Sequence, residues 1–124
     1  MSTTVDNLSY VSKFLHMKGG GGMTAGDKLL AVLSALDNPH RLRIIAALEA
    51  GGRNYVSRLA RELGISRPLL HLHLNKLEEA GLVKSQLEIS KDGKALNYFQ
   101  ISDFRINLTP SYIADVATSL TRMP

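Results

Sequence analysis

The tightest constraint in this sequence is a connection of three residues, Gly64, Ile65 and Ser66, between two stretches that read as helices. Upstream runs YVSRLAREL, residues 55–63, which Asn54 can cap and which ends at Gly64, a natural left-handed C-terminal residue. Downstream, Ser66 caps a helix with Pro68 close behind, and Gly81 ends it. Two helices joined by so short a turn must cross steeply, which is the geometry of a helix-turn-helix.

The phase of the downstream helix, 66–80, says what each face is for. At about 100° per residue, Leu70, Leu74 and Leu77 share a narrow sector, the expected buried stripe, with Ser66 beside it. Pro68, Leu72, Asn75 and Glu79 lie opposite, flanked by Arg67 and His71 on one side and Lys76 on the other. His71 and His73 differ by about 200° and cannot share one metal ion, which needs a spacing of three or four on a helix. His73 falls toward the core edge and is expected to pack on a neighbouring helix. The outward set suits the edges of bases in a major groove. Arg67 can donate twice to guanine, Asn75 can pair with adenine, Leu72 can meet thymine methyls, and His71 can donate to a base or phosphate. A merely solvated surface is the alternative for each.

Around this pair the chain punctuates itself. Residues 6–17 carry Leu8, Val11, Phe14 and Leu15 at helical spacing, and KGGGGM, 18–23, follows as a joint. Gly26 or Asp27 can cap a helix to Leu36 with Leu29, Leu30, Leu33 and Leu36 as its stripe, and Asn38-Pro39 opens the next. After Gly81 the period becomes two: Val83, Ser85, Leu87 and Ile89 alternate with Lys84, Gln86 and Glu88. LNYFQI, 96–101, is a second strand, and Asp92-Gly93 between them is a hairpin turn with Lys91 and Lys94 beside it, placed to touch phosphate. FRINLTP then leads to a helix capped by Thr109, with Ile113, Val116, Ala117 and Leu120 inward. The expected fold is mainly α with a small β-hairpin, in the order α-α-α-α-β-β-α. Its parts are an N-terminal helix and joint (1–23), a central domain (24–102) and a C-terminal extension (103–124).

Cysteine is absent, which removes disulfides, thiolate nucleophiles and Cys-ligated zinc. No Ser-His-Asp order, phosphate loop or metal cluster appears, so an enzyme is not expected, nor a cofactor. No apolar run or leader points to a membrane or to export, and the expectation is a cytoplasmic protein. The net charge is +4. Between Asn38 and Gln100 ten basic residues face six acidic ones, so the entire excess falls in the middle segment, as a polyanion-facing domain requires. Arg53, Arg58 and Arg61 could add backbone contacts.

ALDNPHRLRIIAAL followed by VSRLARELGISRPLLHLHLNKLEEAGLV resembles the ArsR-type winged helix-turn-helix transcriptional regulators. The shared marks include Asn38-Pro39, Arg41-Leu42-Arg43-Ile44, Leu59-Ala60, Leu63-Gly64, Ser66, Pro68, His73-Leu74, Leu77 and Gly81-Leu82-Val83. The hairpin with Tyr98-Phe99 matches the wing, and the likeness spans residues 29–101. It implies a homodimer on an inverted repeat of double-stranded DNA, with terminal helices at the interface. Helix phase and the turn's lysines, rather than the family's base preferences, put helix 66–80 in the major groove and wing 90–95 on the backbone. The contact residues are then Arg67, Pro68, His71, Leu72, Asn75, Lys76, Lys91 and Lys94. Metal-sensing members carry a Cys motif in the helix that here reads NYVSRLAREL, with Tyr55, Val56 and Ser57 and no thiol. Another family site uses Asp and His on the last helix; Asp115 is present, but no histidine follows Phe104. No metal effector is expected. The competing reading is a winged-helix module for protein–protein contact, without sequence-specific DNA binding.

Overall fold

A computed structural model describes residues 22–121, so the helix expected over 6–17 and most of the glycine joint lie outside the described residues. The element order is α1 (Ala25–Leu36), α2 (Pro39–Gly51), β1 (Asn54–Tyr55), α3 (Val56–Leu63), α4 (Arg67–Glu79), β2 (Val83–Ile89), β3 (Ala95–Ile101) and α5 (Pro110–Ala117). It is mainly helical, as expected, with one addition to the hairpin. The short strand β1 pairs antiparallel with β3, Asn54 opposite Phe99 and Tyr55 opposite Tyr98, giving a three-stranded sheet in the order β1-β3-β2. Asn54 therefore belongs to a strand rather than capping α3. Tyr55 takes the N-cap position without a side-chain bond, and the Asn54 side chain accepts from the Tyr55 N–H at 2.9 Å.

Other helix ends follow the local chemistry. Asn38 accepts from the N–H groups of His40 and Arg41, Ser66 from Leu69, and Thr109 from Tyr112, each just before a proline in the first turn. Such a cap contributes about 1 kcal/mol. Gly64 (φ 69°) and Gly81 (φ 79°) adopt the left-handed conformation that stops α3 and α4. In both, paired reverse bonds close the last turn: Gly64 to Arg61 with Ile65 to Ala60, and Gly81 to Glu78 with Leu82 to Leu77. The first helix departs from expectation. Thr24, not Gly26 or Asp27, caps it, accepting from the Asp27 N–H at 3.0 Å.

Two compact units divide the chain between Ser34 and Ala35, and again between Ser102 and Asp103. The unit Ala35–Ser102 contains α2 through β3. Its core is Ile44, Leu48, Leu59, Leu70, Leu74, Leu77, Leu82, Val83 and Phe99. Burying each large aliphatic side chain contributes about 1.5–3 kcal/mol.

In the second unit, Leu29 of α1 packs with Tyr112 and Val116 of α5, and Ala25 and Ile106 close the cluster. Ile106 gives FRINLTP a packing role. The buried edge of α1 is Leu29 and Val32, with Ala35 beyond the unit boundary, while Leu33 is exposed; the stripe is displaced from the one spacing suggested. Likewise α5 buries Tyr112 and Val116, leaving Ile113 and Ala117 exposed, as is Leu120 just beyond its end. The reason is an excess of apolar positions: both helices carry more than one contact needs. The surplus lines an open groove of about 170 Å³ that includes Leu30, Leu33, Ile113, Ala117 and Leu120. Gly26 permits the close approach. A Cβ there would lie 2.4 Å from the Val116 carbonyl oxygen.

Candidate nucleic-acid interface

Helix α4 is fixed from behind and open in front. Leu70, Leu74 and Leu77 have no solvent exposure, as their phase predicted, and they face α2 and α3. The C-terminal end is tied to the sheet where Ser85 Oγ donates to Glu78 Oε2 at 2.8 Å.

His73 is buried, also as expected, and its partner is Arg41 of α2. The Arg41 guanidinium donates to the Ala35 carbonyl at 2.6 Å through Nε and stands 3.1 Å from His73 Nδ1 through Nη1. Arginine has no acceptor, so Nδ1 must accept and the imidazole proton resides on Nε2. Nε2 is buried and meets no protein acceptor. The His40 ring lies 5.1 Å away, tilted by 31°. Burial first, then the charges of Arg41 and His40, hold the His73 imidazolium below its ordinary range. A neutral His73 thus locks α4 onto the start of α2.

Arg67, Pro68, His71, Leu72, Asn75 and Lys76 are all exposed on α4, and Leu72 keeps 60% of its surface. Of the other leucines of this helix, Leu70, Leu74 and Leu77 have no exposure and Leu69 is half-buried. Lys91 and Lys94 are exposed in the hairpin turn. That turn is closed by the Ser90 N–H to the Lys94 carbonyl at 2.8 Å, by the Lys94 N–H to Ser90 Oγ at 3.0 Å, and by Gly93 at φ 85°. Ser90 Oγ also donates to Asp92.

The basic residues separate into two groups. Arg53 forms a two-pronged bridge to Glu88 at 2.5 and 3.0 Å and covers the Tyr98 ring at 4.1 Å, while Tyr98 meets Tyr55 edge-on. The bridge holds the Glu88 carboxyl below, and the Arg53 guanidinium above, their ordinary ranges. Arg58 pairs with Glu62 at 3.2 Å. All three arginines of this stretch are exposed, but Arg53 and Arg58 are paired locally, whereas Arg61 forms no ion pair among the described residues. Among the described residues, Arg67, Lys76, Lys91 and Lys94 form no ion pair.

Sequence reasoning did not anticipate that Leu87 and Ile89, in phase with buried Val83, would be 65% and 67% exposed. Alternation gave their face; it could not give how far the hairpin runs beyond the helices. Among the described residues, no cluster of His, Asp or Glu could hold a metal, and no helix is long and apolar enough to cross a membrane.

Comparison with known proteins agrees with this geometry. A helix-turn-helix domain family model matches residues 36–86. An uncharacterized HTH-type transcriptional regulator of Methanocaldococcus jannaschii is 38% identical over 71 residues, which cover 57% of this chain and 73% of that one. A second from the same organism is 32% identical over 80 residues, covering 64% and 84%. In solution, the homodimeric winged helix-turn-helix DNA-binding domain of a possible ArsR-family transcriptional regulator from Mycobacterium bovis is 27% identical. It superposes with a TM-score of 0.55 and covers 75% of this chain and 71% of its own. A helix-turn-helix followed by a wing, together with these likenesses, shows that the chain belongs to the ArsR-like winged helix-turn-helix family of transcriptional regulators.

Proposed function

We propose that this chain is a sequence-specific DNA-binding regulator that acts as a homodimer. Helix 66–80 enters the major groove and wing 90–95 rests on the backbone. The observation that carries the reading is the division of α4 into a face of wholly buried leucines and an opposite face of exposed, unpaired Arg67, His71, Leu72, Asn75 and Lys76. Arg67 reads guanine through two donors and Asn75 reads adenine; Leu72 covers thymine methyls, with Pro68 beside it at the helix start. Lys91 and Lys94 neutralise phosphate. Support for DNA as the ligand comes from the Mycobacterium bovis relative, a homodimeric DNA-binding domain.

For the dimer, the support is the apolar groove of α1 and α5, whose exposed Leu33, Ile113 and Leu120 suit a second copy. A two-fold pair would set the reading helices one duplex turn apart, about 34 Å. No metal effector belongs to this reading.

Selection of bound duplexes from a random pool, followed by salt-titrated gel shifts, tests it. The selected duplex should bind far more tightly than a scrambled one, with affinity falling steeply as salt rises because phosphate neutralisation releases counterions. Equal affinity for both removes sequence specificity. Sedimentation of the free protein as a monomer at micromolar concentration removes the dimer.

A further inference from the structure

The ionisable side chains of α4 are exposed or half-buried except His73, which keeps 6% of its surface. It stands between exposed Leu72 and buried Leu74, so a shift of this ring is felt on both faces of the helix. A neutral imidazole has one free lone pair, and here it is on Nδ1, which accepts from Arg41 Nη1 at 3.1 Å. The other nitrogen, Nε2, already carries its hydrogen and is buried without a protein acceptor. A second proton therefore has one atom to go to, and a guanidinium occupies it. Its uptake would set N–H against N–H and leave two buried donors unsatisfied, a cost relieved by parting the groups.

Arg41 is itself anchored. Its Nε donates to the Ala35 carbonyl at 2.6 Å, and its backbone N–H donates to the Asn38 cap at 3.3 Å. His40, beside it on α2, lies 5.1 Å from the His73 ring. Arg41 and His40 are the charged groups that act on His73, and burial adds to them in disfavouring the imidazolium. The other elements packed on α4 turn their charges away: Arg58, Arg61 and Glu62 of α3 and Lys84 of β2 are exposed, and Glu88 of β2 pairs with Arg53. With Arg41 held on its own side, protonation strains the contact between α2 and α4.

We infer that Arg41 and His73 form a proton-sensitive latch on the reading helix: neutral His73 holds α4 in the pose that reads bases, and its protonation releases specific DNA. This rests on the DNA-binding reading above and adds acidity as the signal that dissociates the complex. The direction is diagnostic. His71, on the open face, would gain charge toward phosphate and strengthen binding as pH falls, so a loss of affinity cannot come from it. Linkage is reciprocal, and DNA bound to the latched form makes His73 harder to protonate.

Affinity measured on the full chain from about pH 7.5 to about pH 5, at constant ionic strength, tests the latch. The probes are the duplex that the wild-type protein selects at the upper pH and a scrambled duplex. Affinity for the selected duplex should fall by up to about tenfold per pH unit once His73 takes its proton, because it scales with the neutral fraction. The scrambled duplex should bind no more weakly. His73→Asn keeps an acceptor toward Arg41 but does not titrate, and it should abolish the fall. Arg41→Gln keeps an amide donor without the charge, and it should move the fall to higher pH, together with the His73 ring titration followed by NMR. A fall that persists in His73→Asn overturns the inference, as does one that His40→Gln abolishes. Should His73→Asn not fold, an unshifted fall in Arg41→Gln overturns it instead. Loss of the helical circular dichroism over the same pH range also overturns it, because the fall is then acid unfolding. A wild type that selects no duplex refutes the DNA-binding reading and the latch with it; one that binds its selected duplex equally across the range overturns the latch alone.

Discussion

Gly26→Ala and Gly51→Ala make a matched pair whose effects should differ in sign. Both glycines are helical, and in an unobstructed helix alanine is favoured over glycine by up to about 1 kcal/mol. At Gly51, the last residue of α2, an added Cβ meets nothing within 4 Å, so that gain stands, reduced by its place at a helix end. At Gly26 the Cβ would lie 2.4 Å from the Val116 carbonyl oxygen and 3.0 Å from both Leu120 Cγ and Ser119 Oγ. The carbonyl belongs to the backbone of α5 and cannot rotate aside. Restoring ordinary contact requires the helices to part by about 1 Å, a separation a close-packed cluster does not absorb. It would loosen Leu29 from Tyr112 and Val116 and stretch the 2.8 Å bond from the Gly26 N–H to Ser119 Oγ. Overpacking of this kind costs about 1–3 kcal/mol, and the hydrogen bond about 1 more. Against a propensity gain of about 1, Gly26→Ala should lose about 1–3 kcal/mol. Urea unfolding followed by circular dichroism, at constant denaturant slope, measures both variants. A Gly26→Ala midpoint at or above wild type would refute the reasoning, and sedimentation should show weaker self-association if α1 and α5 carry the dimer.

Arg67→Ala should cost about 1–3 kcal/mol of binding and relax the preference at one base position in a repeated selection, whereas Lys94→Ala should weaken all duplexes alike. Leu74→Ala, in the wholly buried stripe of α4, should lower stability by about 2–5 kcal/mol, read from the urea midpoint. His73 is kept neutral in the folded chain, its imidazolium disfavoured below the unfolded value of about 6.5. The unfolded chain therefore takes up the proton first: stability is full above about pH 7 and declines as pH falls below about 6.5. In His73→Leu the difference in urea midpoint between about pH 7.5 and pH 5.5 should shrink; an unchanged difference would show that other groups cause it.

The legible parts of this fold are those set by near neighbours in sequence. Asn38, Ser66 and Thr109 each bond to an N–H two or three residues ahead, and Gly64, Gly81 and Gly93 each need only a positive φ. The α4 stripe was legible because one helix with three leucines in phase has one way to turn inward. What escaped depends on distant partners. Two residues of β1 have no periodicity to read, and they become a strand only because β3 supplies its edge. Helices α1 and α5 are apolar on more than one side, so spacing alone could not select Val32 over Leu33 or Tyr112 over Ile113. At the candidate site, exposure of the eight proposed side chains followed from helix phase and turn chemistry. The Arg41–His73 contact and the exposed Leu87–Ile89 edge required coordinates.

The charge count illustrates why placement outweighs composition. Ten cations in the middle segment suggested a polyanion, yet their environments are unlike. Arg53 and Arg58 are matched by carboxylates at 3.2 Å or less, and exposed pairs of that kind add little stability. Arg41 reaches from α2 to the Ala35 carbonyl and to His73, so its guanidinium orients a helix instead of meeting a ligand. Lys91 and Lys94 stand at a projecting turn, and Arg67 and Lys76 stand on the open side of α4; none of the four forms an ion pair among the described residues. Net charge would be unaltered if Arg53 and Arg67 exchanged environments, but the capacity to release counterions from DNA would not. An ionic-strength series on single arginine and lysine variants should therefore divide them by partner rather than by position in sequence. The unmatched cations should each account for up to about 0.9 of the salt slope, and Arg53 and Arg58 for far less.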